Sequence, residues 1–318
     1  MSARLMMLPL GGLLALSGCT YDFERSSEVV DRRILAIQVD PPELTSGASQ
    51  PDSVRARALV ADPADQLAVA EVRWWSCLLP PRSNAEAGEG EDQLCTDSNT
   101  IVMETSGSAA INSVSQSIPL PENVAGVLAA GEDVPAPQLQ LQLEVSSDKG
   151  PLTAVKSVAV TAVLPEGQEP NRNPVLKGLT LDGEDWLPDT PRTLKYGDCP
   201  EEDKEEVEAA DESLVKVCEH DIEPLFDESE AQFYEARGIT GEQELQRERL
   251  IFYWFTDKGS WQRNLTRQKD PRDPSPDNVG PKASWREPAE KTERVSVWVV
   301  VRDGRGGTNW ERREVLFE

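Results

Sequence analysis

The sequence predicts an all-β chain with two β-sandwich domains in tandem. Three features carry this. Short runs of alternating apolar and polar residues recur, the clearest at 138–145 (QLQLQLEV), where Leu139, Leu141, Leu143 and Val145 share one face. Turn-forming Pro, Gly, Ser and Asp separate these runs. A Pro-containing stretch, 165–174 (PEGQEPNRNP), divides a chain of 318 residues, which is room for about two domains at roughly 150 residues each.

The first domain spans 33–164. Its strands read at 33–39 (RILAIQV), 53–60, 69–75, 138–145 and 154–163. In 53–60, Val54, Ala56, Ala58 and Val60 fall on one face, and 69–75 ends in Trp74 and Trp75, which point to opposite faces. The Ser-rich segment 106–117 reads as an edge strand or a loop. Acidic, Gly-rich 83–97 reads as a surface loop. In the linker 165–174 the prolines favour extended backbone and hold the domains somewhat apart.

The second domain spans 175–318. Segment 250–255 (LIFYWF) is apolar on both faces and reads as a central strand. Segment 294–302 behaves likewise, with Val295, Val297, Val299 and Val301 on one face and Trp298 and Val300 on the other. A Gly-rich turn at 303–307 (DGRGG) leads to a last strand at 310–317. Residues 199–248 hold 18 Asp+Glu against 4 Lys+Arg and read as an acidic, partly helical insert. Within it, 200–217 has helix-forming composition, and 226–237 stands between helix and strand. The remainder, 249–318, carries 14 basic and 11 acidic residues, so the two parts can attract each other.

The whole chain carries 57 Asp+Glu against 32 Lys+Arg, a net charge of −25. That balance excludes nucleic acid as a partner, since phosphate binding needs clustered Lys and Arg. It also excludes electrostatic adhesion to anionic lipid. Membrane attachment has another source. Behind Arg4, segment 5–16 (LMMLPLGGLLAL) is apolar but shorter than the roughly 20 residues a spanning helix needs, so it fits the apolar core of an export signal. The next residues, Leu16-Ser17-Gly18-Cys19, resemble a bacterial lipobox at all four positions. The resemblance implies a signal peptide at 1–18, acylation of Cys19, a polar tether over 19–32 and stable membrane residence. Thr20 in place of Asp after the cysteine favours the outer membrane.

Lipidation of Cys19 leaves four cysteines in two local pairs, which in an exported chain read as the disulfides Cys77–Cys95 and Cys199–Cys218. The rival reading, zinc at Cys199, Cys218 and His220, lacks a fourth ligand and a closely spaced Cys pair.

Taken together, the segments 34–43 (ILAIQVDPPE), 72–77 (VRWWSC), 250–259 (LIFYWFTDKG), 285–288 (WREP) and 299–307 (VVVRDGRGG) resemble extracytoplasmic bacterial lipoproteins built from immunoglobulin-like or PKD-like repeats. The resemblance implies Ig-like sandwiches. It also implies a core indole on the third strand of each, from Trp74 or Trp75 and from Trp254. It assigns no activity.

No catalytic set emerges. His220 lacks a Gly-x-Ser-x-Gly partner and reads as a solvated or capping residue beside the second disulfide. Ser-x-x-Lys at 146–149 and 213–216 lacks the further motifs of β-lactamase-type enzymes. Gly126 and Gly131 have phosphate-loop spacing, but Glu132 replaces the required Lys. Acidic residues at 201–206, or Asp270, Asp273 and Asp277, offer oxygens to calcium, yet without an EF-hand spacing they read as solvated surface. Trp261 and Trp285 lie near loops and are the candidates for stacking on a sugar. Basic Arg263, Arg267, Lys269 and Arg272 lie beside Trp261 and read as a charged loop.

The expected function is a lipid-anchored envelope lipoprotein acting as a non-catalytic protein-binding or scaffolding module, with an envelope protein as partner and no cofactor. The alternative is a carbohydrate- or peptidoglycan-binding lipoprotein using Trp261 and Trp285. A minor alternative is a hydrolase with an unrecognised carboxylate site.

Overall fold

The computed structural model describes residues 26–46, 52–64, 68–79, 95, 103–110, 114–129, 138–148, 150–162, 164, 166–209, 211, 213–237, 243–270, 273–275, 278 and 280–318. Cys19 and Asp277 lie outside them, as do the signal segment and most of 83–97.

The first half forms β1 (Arg33–Asp40), β2 (Glu43–Thr45), β3 (Ser53–Ala61), β4 (Val69–Leu79), β5 (Met103–Ala110), β6 (Val114–Pro119), a short helix α1 (Asn123–Ala129), β7 (Gln138–Val145) and β8 (Leu152–Thr161). A three-stranded sheet, β1-β3-β6, faces a five-stranded sheet, β2-β8-β7-β4-β5. Between them lies a core that includes Val54, Trp74, Ile118, Leu139, Leu141, Leu143 and Val160. The alternation of β3 and β7 supplies those inward faces. Trp74 is the buried indole, while Trp75, on the opposite face, packs against the Cys77–Cys95 disulfide. Segment 106–117 belongs to edge strands, but to two of them rather than one. It contributes to β5 and β6, which join different sheets.

The second half forms β9 (Gly178–Leu181), β10 (Glu184–Trp186), β11 (Arg192–Leu194), β12 (Lys204–Glu208), β13 (Leu214–Leu225), β14 (Phe233–Arg237), β15 (Gln243–Arg247), β16 (Ile251–Thr256), β17 (Ser260–Trp261), β18 (Leu265–Arg267), β19 (Ala283–Arg286), β20 (Arg294–Arg302) and β21 (Thr308–Phe317). Sheet β10-β9-β13-β19-β17, with β12 added to β13, packs on sheet β11-β21-β20-β16-β18. Hairpin β14–β15 stands as a separate two-stranded sheet. Both halves close an edge in the same way, since β2 runs parallel to β8 and β11 runs parallel to β21.

The acidic stretch 199–248 is not an insert. Its helical content among the described residues is two 3-10 turns, Glu201–Asp203 and Glu228–Glu230, and β13 lies between β9 and β19 in the sheet. Along β13, Cys218, His220, Ile222 and Pro224 are buried, while Glu219, Asp221 and Glu223 are not. Three of the 18 acidic residues, Glu219, Asp221 and Glu223, stand on the outer face of a strand whose inner face is sheet core.

The tether and linker also differ from expectation. Residues 27–29 are docked, with the Thr256 N–H donating to the Ser27 carbonyl at 3.0 Å and the Val29 N–H donating to the Thr256 carbonyl at 2.8 Å. Val29 is fully buried. The linker does not hold the domains apart. Asn171 and Pro174 are buried, and the Asn173 amide donates to the Val39 carbonyl of the first domain at 2.8 Å. The prolines keep this segment extended, but its asparagines give it partners on both sides.

Candidate functional site

The domains meet through an apolar seam. Trp298 and Val300 of β20, with Tyr253 and Phe255 of β16 and Trp310 of β21, pack against Leu35, Ala36, Leu59 and Ala61 of the first domain. A strand apolar on both faces needs cover on both. Val295, Val297, Val299 and Val301 of β20 face their own sandwich, and Trp298 and Val300 face the neighbouring domain.

Beside the seam the turn between β20 and β21 is a buried polar plug. Arg305 donates to Glu43 of the first domain at 3.2 Å and to Glu248 at 3.0 Å, and its guanidinium lies 4.9 Å from the Tyr234 ring centroid. Glu43 also accepts from the Thr161 hydroxyl at 2.6 Å and from the Asn171 N–H at 2.7 Å. Asp303 accepts from the N–H groups of Arg305 and Gly307 and from the Asn171 amide, at 2.7, 2.9 and 3.0 Å. Lys156 of β8 reaches across to the Gly306 carbonyl and the Thr308 hydroxyl. Gly307 has to be glycine here, because a Cβ would sit 2.6 Å from the Arg172 carbonyl oxygen.

Burial sets the ionisation of this plug. Loss of solvent, with the nearby Asp303 charge, pushes Glu248 up to about 7 against the pull of Arg305 and the Gln232 N–H. Loss of solvent also raises Asp303. Burial and Arg302 bring Lys156 down to about 8. Next to the plug a cavity of about 540 Å³ opens between β1, β3, the 171–175 segment and Asn309.

A second cavity, of about 690 Å³, lies over β13 and is rimmed by acidic side chains. His220 lines it and is not the solvated residue expected from sequence. It is buried and stacks on Trp285, with centroids 5.8 Å apart. Its Nδ1 is 2.8 Å from Asp182 and its Nε2 is 3.3 Å from Glu287, whose other oxygen accepts the Gly197 N–H at 2.9 Å. Burial alone lowers a histidine, but the two carboxylates outweigh it and raise His220 to about 9. Asp182 is held below its ordinary value, as hydrogen bonds from His220 and the Asp221 N–H overcome its desolvation. The imidazolium is thus a fixed tie between β9, β13 and the segment after β19, with both ring nitrogens donating. It offers no lone pair to a substrate or a metal. Cys218 lies beside it with Glu287, but its sulfur is bonded to Cys199 and is not a thiolate ligand.

The structure separates the other residues singled out from sequence. Both expected disulfides are formed, Cys77–Cys95 and Cys199–Cys218. Trp261 and Trp285 are core residues at 7% and 0% exposure, not sugar-stacking platforms. Gly259 lets the turn before β17 close over Trp285, since its φ is +79° and a Cβ would meet the indole nitrogen at 2.8 Å. Asp270 and Asp273 fold around Asn278, whose amide donates to both of their carbonyls at 2.6 and 2.7 Å. The Asp273 carboxylate accepts the Ser275 N–H. Glu201 pairs with Lys204 and Lys216 rather than joining its acidic neighbours. The Ser146 hydroxyl is spent on the Glu71 backbone. Arg263 and Arg267 are exposed. Sequence reasoning missed Glu43, Glu248 and Arg305 because Arg305 pairs with Glu43 across 262 residues and with Glu248 across 57. The one local signal was the Arg placed between glycines at 304–307.

No family model and no curated protein matches this chain. Among solved structures it is similar to dimeric latent PorU from Porphyromonas gingivalis (10% identity, 91% of this chain and 24% of that one, TM-score 0.22). It is also similar to red sea bream transglutaminase (8%, 92% and 32%, TM-score 0.22). A third is the fibronectin(III)-like modules of Clostridium thermocellum CbhA (10%, 89% and 94%, TM-score 0.20). The chain thus spans about a quarter and a third of the length of the first two.

Proposed function

We propose that this chain is a lipid-anchored, extracytoplasmic module that binds a protein of the cell envelope and performs no catalysis itself. Hairpin β14–β15 carries the reading. One face turns inward, with Tyr234 against Arg305. The other presents Phe233 and Leu245 to solvent at 60% and 72% exposure. These two sit diagonally across the ladder, since Phe233 pairs with Arg247 and Leu245 with Glu235. Exposed apolar residues on one face of a two-stranded sheet invite cover by another chain. The lipobox resemblance at Cys19 supplies the anchor, and docking of residues 27–29 on β16 brings the anchored end to the domain junction.

The test is in-cell cross-linking of the tagged full chain, wild type against a Phe233→Ser/Leu245→Ser double variant. The expected result is one recurrent envelope partner, lost in the double variant while the protein stays in the membrane fraction. An unchanged partner profile refutes the hairpin as the binding face. Cys19→Ala is expected to release the protein from membranes, and retention there refutes the anchor.

A further inference from the structure

We propose that the cavity at the domain junction binds a small anion, a sugar-sized molecule bearing one carboxylate or phosphate, with Arg55, Arg57 and Arg172 as its anchors. The volume of about 540 Å³ suits a small ligand. Arg55 and Arg57 stand two apart on β3 and so share one face, and Arg172 comes from the interdomain segment. Among the described residues none of these guanidinium groups forms an ion pair. In a chain with 57 acidic residues, three arginines without a carboxylate partner around one cavity form a local reversal of charge.

Arg57 is held in place. Its Nε donates to the Gln38 side-chain oxygen at 2.7 Å, and its guanidinium lies 5.1 Å from the Trp310 ring centroid. Gln38 is fixed in turn by donating to the Thr308 carbonyl at 2.6 Å. Burial and the neighbouring Arg55 hold the Arg57 guanidinium below its ordinary value, and an anion relieves that repulsion. Asp40 lines the same cavity and offsets one charge of the three. Guanidinium forks match the paired oxygens of carboxylate and phosphate.

Asn171 lines the cavity and is buried, and its amide nitrogen donates to Asp303 at 3.0 Å. Its Oδ1 has no hydrogen-bond partner among the described residues and is enclosed, so it does not open onto the cavity.

The test is isothermal titration of the full mature chain in detergent at low ionic strength. The probes are glucuronate, glucose 6-phosphate and uncharged glucose. Saturable binding of at least one charged probe is expected, with glucose at least tenfold weaker, and the stronger charged probe identifies the oxyanion. The variant Arg55→Gln/Arg172→Gln is expected to weaken binding tenfold or more. Both positions are exposed, so the fold is retained, as far-UV circular dichroism and intact disulfides will check. Arg263→Gln/Arg267→Gln, an exposed basic pair elsewhere, is expected to change nothing. No saturation by either charged probe overturns the proposal, as do glucose binding of equal strength and equal losses in the two double variants. The outcome is independent of whether the hairpin captures a protein.

Discussion

Replacing Trp298 with Ala tests whether the apolar seam joins the two domains into one cooperative unit. The indole is fully buried between β20 and the first domain. A buried Trp removes roughly 150–250 Å² from water, which at ~25 cal/mol per Å² amounts to about 4–6 kcal/mol. Burial already present in the unfolded chain trims this to about 3–5 kcal/mol, the range seen for large-to-small truncations. Among the described residues its Nε1 has no hydrogen-bond partner, so no lost hydrogen bond adds to that cost. The same fact makes Trp298→Phe mild, at about 1–2 kcal/mol, because it removes an unsatisfied donor together with part of the ring. Calorimetry and urea unfolding on the full mature chain are the assays. Wild type is expected to unfold in one transition, and Trp298→Ala in two, with the first at lower temperature. A loss below about 1 kcal/mol with one transition retained would refute the idea that this seam couples the domains.

Other outcomes follow from the buried charges and the staples. His220 is the one histidine of the chain, so its imidazole resonances titrate without overlap and are expected to report a midpoint near 9. A raised folded value means its contribution, about 3 kcal/mol, is fully present below about 6.5 and is lost as pH rises through 9, and Glu287→Gln is expected to lower the midpoint. Glu248 is an acid raised to about 7, so it favours the folded state below about 4.5 and loses that contribution as pH rises through 7. Glu248→Gln is therefore expected to flatten the urea midpoint across that window. Arg305→Ala strands Glu43 and Glu248 in the junction and is expected to cost about 3–5 kcal/mol by urea unfolding, and Glu43→Gln in the same chain to recover part of it. Removing Cys199–Cys218 by a double Ser substitution frees a 19-residue separation and is expected to cost about 3 kcal/mol, read as a lower unfolding temperature.

Much of the fold was legible from local pattern. Runs at 33–39, 53–60 and 138–145 became β1, β3 and β7 because side-chain direction alternates residue by residue and their apolar residues meet the sandwich core, although β1 and β7 are buried on both faces. The cysteine spacing matched both disulfides for an equally local reason. The strand β13 was hidden because Glu219, Asp221 and Glu223 on its open face continue the acidic run that precedes it in sequence. Trp261 and Trp285 looked like loop aromatics because β17 and β19 are short, and only the pairing of the two strands puts them in the core. Of the candidate site, the sequence showed the turn 303–307 and the segment 165–174 but not their meeting.

The sequence by itself determined the all-β class, the alternation that fills each sandwich, the stapled cysteine pairs and the candidate acylation motif, since all of these depend on residues within about 20 positions of one another. The tertiary structure alone decided that the second apolar face of β20 is covered by the other domain. It also decided that Arg305 meets Glu43 and that Arg55, Arg57 and Arg172 border one cavity. Those relations join residues far apart in the chain. They arise because exposed apolar and charged groups at two domain surfaces find cover and counter-charge only when the surfaces come together.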